Sequence, residues 1–181
     1  MEIVKTNIPD VLVIRPQIFT DKRGCFFESY NKKLLVSKGF YVDFLQDNQS
    51  ISHKGVIRGL HFQAPPFAQG KLVRVVSGRA IDVAVDIRKN SPFYGKHVMV
   101  TLSAKNNDMF WIPEGFAHGF AALEDNTIFL YKTTNYYDKN SEDTLLWNDK
   151  DLNIQWNIKD PIISDKDAIA TTFKDFKSPF I

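Results

Sequence analysis

Arg58 and His61 stand three residues apart in GVIRGLHFQ (55–63), an otherwise apolar run that reads as a β-strand. Histidine exchanges a proton near neutral pH, and arginine grips an anion through paired hydrogen bonds. Together they suit proton transfer on a phosphorylated or nucleotide-linked substrate. In a regular strand Ile57, Gly59 and His61 share one face, Arg58 and Leu60 the other. Gly59, between the two polar groups, marks a place where a bulge or twist would turn both toward one pocket. The alternative is a half-buried histidine beside a surface arginine, and this segment alone does not choose between them.

Other chemistry-bearing residues are scattered. Tyr131, in FLYKTTNYY, is a candidate acid on a separate strand, and Lys71, after Gly70, a candidate for stabilising an oxyanion. Each has a plainer reading, Tyr131 as a core tyrosine and Lys71 as a solvated charge. His118, in the turn-rich WIPEGFAHGF, has the plainer reading of a structural histidine. The four histidines, His53, His61, His97 and His118, form no spaced ligand pair, so no metal is expected. Cys25 has Arg23 nearby but lies beside Phe26 and Phe27, which reads as core filling rather than a nucleophile. Covalent catalysis has no support, since no Gly-x-Ser-x-Gly elbow occurs.

The elements that must position these groups are mostly strands. Runs at 11–14, 56–57, 72–76, 80–87, 97–102 and 127–133 are β-branched or aromatic. Turn chemistry separates them, as in Asp21-Lys22-Arg23-Gly24, Ser77-Gly78 and Pro113-Glu114-Gly115. Many short strands predict an antiparallel sandwich or barrel. AIDVAVDIR alternates, with Ile81, Val83, Val85 and Ile87 on one face and Asp82, Ala84 and Asp86 on the other, which allows an inward carboxylate. Asn31 to Lys38 predicts a short helix stopped by Gly39, and the tail after Asp160 a second short helix with irregular segments.

The chain's 181 residues suffice for one domain, expected to span 1–181. A net charge of +2 without a long basic block argues against nucleic acid as the main partner. No apolar run reaches membrane-spanning length, and the single cysteine fits a reducing compartment, so the chain is expected to be cytoplasmic.

Eight segments together resemble the dTDP-4-dehydrorhamnose 3,5-epimerases: DKRGCFFESYN, QDNQS, GVIRGLHFQ, GKLVRVVSG, DVAVDIRKNSPFYG, WIPEGFAHGF, FLYKTTNYY and PIISDKD. They run in family order from about Arg15 to Asp167. The resemblance implies an all-β, cupin-like (jelly-roll) antiparallel β-barrel with a few short helices. It also implies cofactor-independent inversion of C3 and C5 in dTDP-4-dehydro-6-deoxy-D-glucose, a dTDP-linked 4-keto-6-deoxy sugar. By the same resemblance His61 is the catalytic base, Asp167 the carboxylate that orients it, Tyr131 the acid on the opposite face of the ring, and Lys71 a cation near the keto oxygen. Arg58, Gln46, Asp47 and Asn48 match nucleotide and diphosphate contacts; His118, Glu142 and Lys166 match further ligand contacts; Phe19 is placed on the base. Arg23 and Glu28 match residues that reach a neighbouring subunit's site, which implies a homodimer with an exchanged N-terminal segment. One departure stands at Asn48-Gln49-Ser50, where many members read Asn-His-Ser, and it puts local packing or ligand fit in question. The competing readings are a single-carbon 3- or 5-epimerase on a related sugar and a non-enzymatic sugar-nucleotide-binding barrel.

Overall fold

Two antiparallel sheets carry most of the chain in the computed structural model, which describes residues 1–181. The strands are β1 (Glu2–Lys5), β2 (Leu12–Arg15), β3 (Phe19–Asp21), β4 (Gly24–Phe26), β5 (Gln46–Ser52), β6 (Ile57–Gln63) and β7 (Lys71–Ser77). They continue as β8 (Arg79–Asp86), β9 (His97–Ser103), β10 (Met109–Ile112), β11 (Phe116–Ala122), β12 (Thr127–Thr133) and β13 (Glu142–Thr144). Only two short helices interrupt them, α1 (Lys32–Ser37) and α2 (Asp165–Ala168). One sheet runs β1-β2-β10-β7-β12-β5 and the other β13-β6-β11-β8-β9. They are separate ladders packed face to face, a jelly-roll arrangement rather than one continuous closed barrel.

Alternation along the strands sorts the side chains into layers. Val73, Val75, Phe110, Ile112 and Phe129 from the first sheet meet Ala80, Ala84, Phe116 and Phe120 from the second. Phe120 and Phe129 stack across this interlayer with centroids 4.1 Å apart. Fully burying a phenylalanine such as Phe129 contributes about 1.5–3 kcal/mol. Ile81, Val83, Val85 and Ile87 turn to the outer face of the second sheet, under Leu145, Leu152, Ile154 and Trp156, as their alternation predicts. The opposite face of β8 accordingly buries Asp82 completely.

The predicted helix forms as α1: the Asn31 side chain accepts the Leu34 N–H, and Gly39 follows the C-cap at φ +83°. The expectation for Cys25 fails. Cys25 is exposed, and its neighbour Phe26 is 68% exposed, because β3 and β4 form a separate two-stranded hairpin with no core beneath it. His118 also departs from its turn-rich reading. It sits in β11, a strand buried along its whole length between β6 and β8, where small residues let both neighbours approach. No helix is long and apolar enough to cross a membrane.

Candidate active site

Strand β6 decides the geometry. His61 pairs with His118 while Arg58 pairs with Phe120, so three steps on β6 oppose two on β11. That is a β-bulge at Gly59-Leu60, and it turns Arg58 and His61 to the same, interlayer side while Ile57, Leu60 and Phe62 enter the outer core. Gly59 adopts φ +136°, and a Cβ there would lie 2.5 Å from Gly119 Cα and 2.9 Å from the His118 carbonyl. Only glycine fits. The two glycines let the strands approach closely enough to hold the bulge.

His61 lines a cavity of about 460 Å³ together with Arg58, Glu142, Lys166, Asp167 and Ile162. Its Nε2 lies 2.7 Å from Asp167 Oδ1, and the second Asp167 oxygen accepts the Gly59 N–H at 3.2 Å. Burial alone would raise the Asp167 carboxyl, but the His61 hydrogen bond, the His61 charge and the Gly59 N–H outweigh it and hold it below the usual range. A carboxylate can only accept, so His61 Nε2 carries the hydrogen, and in the neutral ring Nδ1 is the nitrogen left to act as a base. Ser164, the N-cap of α2, accepts the Asp167 N–H and fixes the start of this segment.

Lys71 and Tyr131 come from the opposite sheet. Both lie on interlayer-facing positions, Tyr131 in register with Asn48 and Val73, Lys71 with Thr133 and Ile112. Lys71 is not the solvated charge of its plainer reading: burial pushes it down to about 8, against the pull of Glu142 and Asp82. Its Nζ lies 3.4 Å from the His61 carbonyl oxygen. Burial raises the Tyr131 phenol, partly countered by Arg58, so it keeps its proton at neutral pH.

The remaining residues divide. Gln46 and Asn48 face inward and touch each other at 2.9 Å, while Asp47 turns to the outer face of β5 and pairs with Lys132. Gln49 points outward with it, so the Asn-Gln-Ser departure leaves the inward positions, Asn48 and Ser50, unchanged. His118 is buried with Nε2 2.9 Å from Asp82 Oδ1. Glu142 ties Lys166 to β13, and burial, which would raise its carboxyl, is outweighed by Lys166, so the net shift is downward. The structure does not bring Phe19, Arg23 and Glu28 to the His61 cavity. Phe19 and Arg23 lie on the exposed hairpin, where Arg23 pairs with Asp21, and Glu28 bonds Asn31.

Two polar groups escaped sequence reasoning as parts of this site. Ser52 accepts from Arg58 Nε at 3.2 Å, and the Tyr137 hydroxyl lies 3.2 Å from Glu142. Asp82, visible beforehand as a possible inward carboxylate, proves to underlie His118. No three His, Cys, Asp or Glu side chains gather in a metal-holding group.

A family model described as dTDP-4-dehydrorhamnose 3,5-epimerase matches residues 5–175. The chain belongs to that family. A dTDP-4-dehydrorhamnose 3,5-epimerase from Shigella flexneri is 54% identical over 176 residues, 97% of each chain. Among solved structures, the dTDP-6-deoxy-D-glucose-3,5-epimerase from Legionella pneumophila, in complex with dTDP-4-keto-L-rhamnose, superposes with a TM-score of 0.93 at 44% identity, covering 97% of this chain and 94% of that one. A 3′-monoepimerase from Streptomyces bikiniensis in complex with dTDP-quinovose gives 0.89 at 29% identity, covering 95% and 88%. This member of the family is an epimerase of deoxysugar biosynthesis, built on the family's jelly-roll scaffold.

Proposed function

We propose that residues 1–181 form one epimerase domain that inverts C3 and C5 of dTDP-4-dehydro-6-deoxy-D-glucose, with His61 as base and Tyr131 as acid. The observation that carries the reading is their origin on facing sheets. A sugar ring held between the layers would present one face to His61 and the other to Tyr131. His61 Nδ1 takes the proton from a carbon beside the 4-keto group, and the electron pair moves through C3–C4 or C5–C4 onto the keto oxygen. The Lys71 ammonium stabilises that enolate. Tyr131 then returns a proton from the opposite face, and the electron pair re-forms the C–H bond. Both groups exchange protons with solvent before the next inversion. Asp167 holds His61 in the productive tautomer and balances its charge once protonated.

Tyr131→Phe separates the steps. We expect inversion to fall about 10²–10³-fold while His61 still exchanges substrate C–H protons with deuterated water. Equal loss of exchange and inversion would remove Tyr131 from the acid role. For Lys71, kcat/KM should decline with an alkaline limb near 8 as the ammonium loses its proton. Lys71→Met should abolish that limb and lower kcat about 10²–10³-fold. An unchanged pH profile in the variant would assign the limb elsewhere.

Arg58, Gln46 and Asn48 are suited by position to the diphosphate and nucleoside, with His118, Glu142 and Lys166 as further contacts. Asp47, turned outward, stands apart from this set. Phe19, Arg23 and Glu28 lie too far out to complete their own protomer's cavity, which supports a homodimer in which the exposed hairpin enters the neighbour's site and Phe19 meets the base. Mixing inactive Arg23→Ala and His61→Ala chains tests this. Activity should reappear as subunits exchange, because one site per mixed dimer is then intact; no recovery would place Arg23 in its own protomer's site. The domain needs no bound cofactor in this scheme, and a cytoplasmic location suits its nucleotide-linked substrate.

A further inference from the structure

Beneath the proposed catalytic groups lies a charge that the scheme above does not use. Asp82 is 0% exposed in the middle of β8. Its Oδ1 accepts from His118 Nε2 at 2.9 Å, while Oδ2, equally enclosed, has no partner at all. A buried carboxylate oxygen without a hydrogen bond is costly, and such an atom marks a role outside simple packing. The Lys71 ammonium, across the interlayer, makes no ion pair; its only hydrogen bond is the long one to the His61 carbonyl. Burial raises the Asp82 carboxyl and lowers the Lys71 ammonium; His118 and then Lys71 oppose the rise in Asp82, and Glu142 and then Asp82 oppose the fall in Lys71, so each charge favours the ionised form of the other.

We infer that Asp82 is a positioning residue for the epimerisation: its carboxylate anchors His118 against the floor of the site and supplies the countercharge that keeps Lys71 an ammonium. The anchored ring donates through Nε2 to Asp82, so its other nitrogen, which bonds no protein group, is held for the ligand. The ring also stacks on Phe129, with centroids 6.1 Å apart, so its orientation is fixed from both sides. Lys71 meets charge from several strands: Asp82 on β8, Glu142 on β13, the His61 carbonyl on β6 and His118 on β11, with the Tyr131 phenol on the adjacent β12. Glu142 already pairs with Lys166 and bonds Tyr137, whereas Asp82 has an oxygen to spare.

This inference rests on Lys71 serving the keto oxygen. Asp82→Asn keeps the volume and a hydrogen bond to His118 but removes the charge. The ammonium form of Lys71 then becomes less favourable, so the alkaline limb of kcat/KM should move about one pH unit or more toward acid. At pH 7.5 turnover should fall about 3-fold or more and recover toward pH 6. In a Lys71→Met background the same substitution should cost much less, since the group it supports is gone. A residue that only filled space would lower activity at every pH and leave the limb in place, and that result would overturn the inference. Asp82→Ser, smaller and still able to bond His118, serves if the asparagine variant does not fold. Failure of both to fold would make Asp82 a folding requirement instead and equally overturn it. Should the unsubstituted enzyme show no limb that Lys71→Met removes, the role given to Lys71 fails first; an existing limb that Asp82→Asn leaves unmoved refutes the Asp82 assignment alone.

Discussion

His61→Ala should reduce both inversion and solvent exchange of substrate C–H protons by about 10⁴-fold while leaving dTDP binding largely intact. The size follows from the arrangement on β6. His61 is the one group in its cavity with a free basic nitrogen aimed by a buried carboxylate, Asp167, at 2.7 Å. Glu142 and Lys166, the other titratable neighbours, are committed to each other. Removing the imidazole leaves no base to take its place. Nucleotide affinity should persist because Arg58, Gln46 and Asn48 are untouched. The measurement is NMR of substrate ring protons in deuterated water, with dTDP binding followed by calorimetry. Exchange at the unsubstituted rate would remove His61 from the base role.

Gly59→Ala should be nearly as damaging, through the backbone. At φ +136° an alanine is strained, and its Cβ would meet Gly119 Cα at 2.5 Å and the His118 carbonyl at 2.9 Å. These are backbone atoms that cannot rotate aside. Relief requires β6 and β11 to separate or the bulge to straighten, and straightening returns Arg58 and His61 to opposite faces. We expect a stability loss on the order of 3 kcal/mol or more in urea unfolding, with activity lost in the chains that remain folded. A variant as stable and as active as the parent would show that the close approach at Gly59 does not hold the site.

The parts legible in sequence are those whose physics is local. The alternation of Ile81, Val83, Val85 and Ile87 against Asp82 and Ala84 gave the correct faces of β8, since both faces are buried between distinct layers. Asn31 and Gly39 bracket α1 through capping, which needs no tertiary partner. The pairing of Arg58 with His61 was legible only as a question, because a bulge depends on what lies opposite, here Gly119. Strand β5 left no hydrophobic signal: its inward residues, Gln46, Asn48 and Ser50, line a polar interlayer, so the alternation is in burial rather than polarity. Cys25 and Phe26 misled because aromatic neighbours usually mean core, and only the topology shows the hairpin standing off both sheets. The burial of Lys71 was invisible for the same reason, since it comes from the second sheet closing over it.

The most direct measurement follows the ring protons of dTDP-4-keto-6-deoxyglucose by NMR with the unsubstituted enzyme in deuterated water. A base and an acid on facing sheets, acting beside one keto group, predict that solvent deuterium replaces the protons at both C3 and C5 as the L-configured product forms. Exchange confined to one carbon, or ligand binding with no exchange at all, would contradict double epimerisation by His61 and Tyr131.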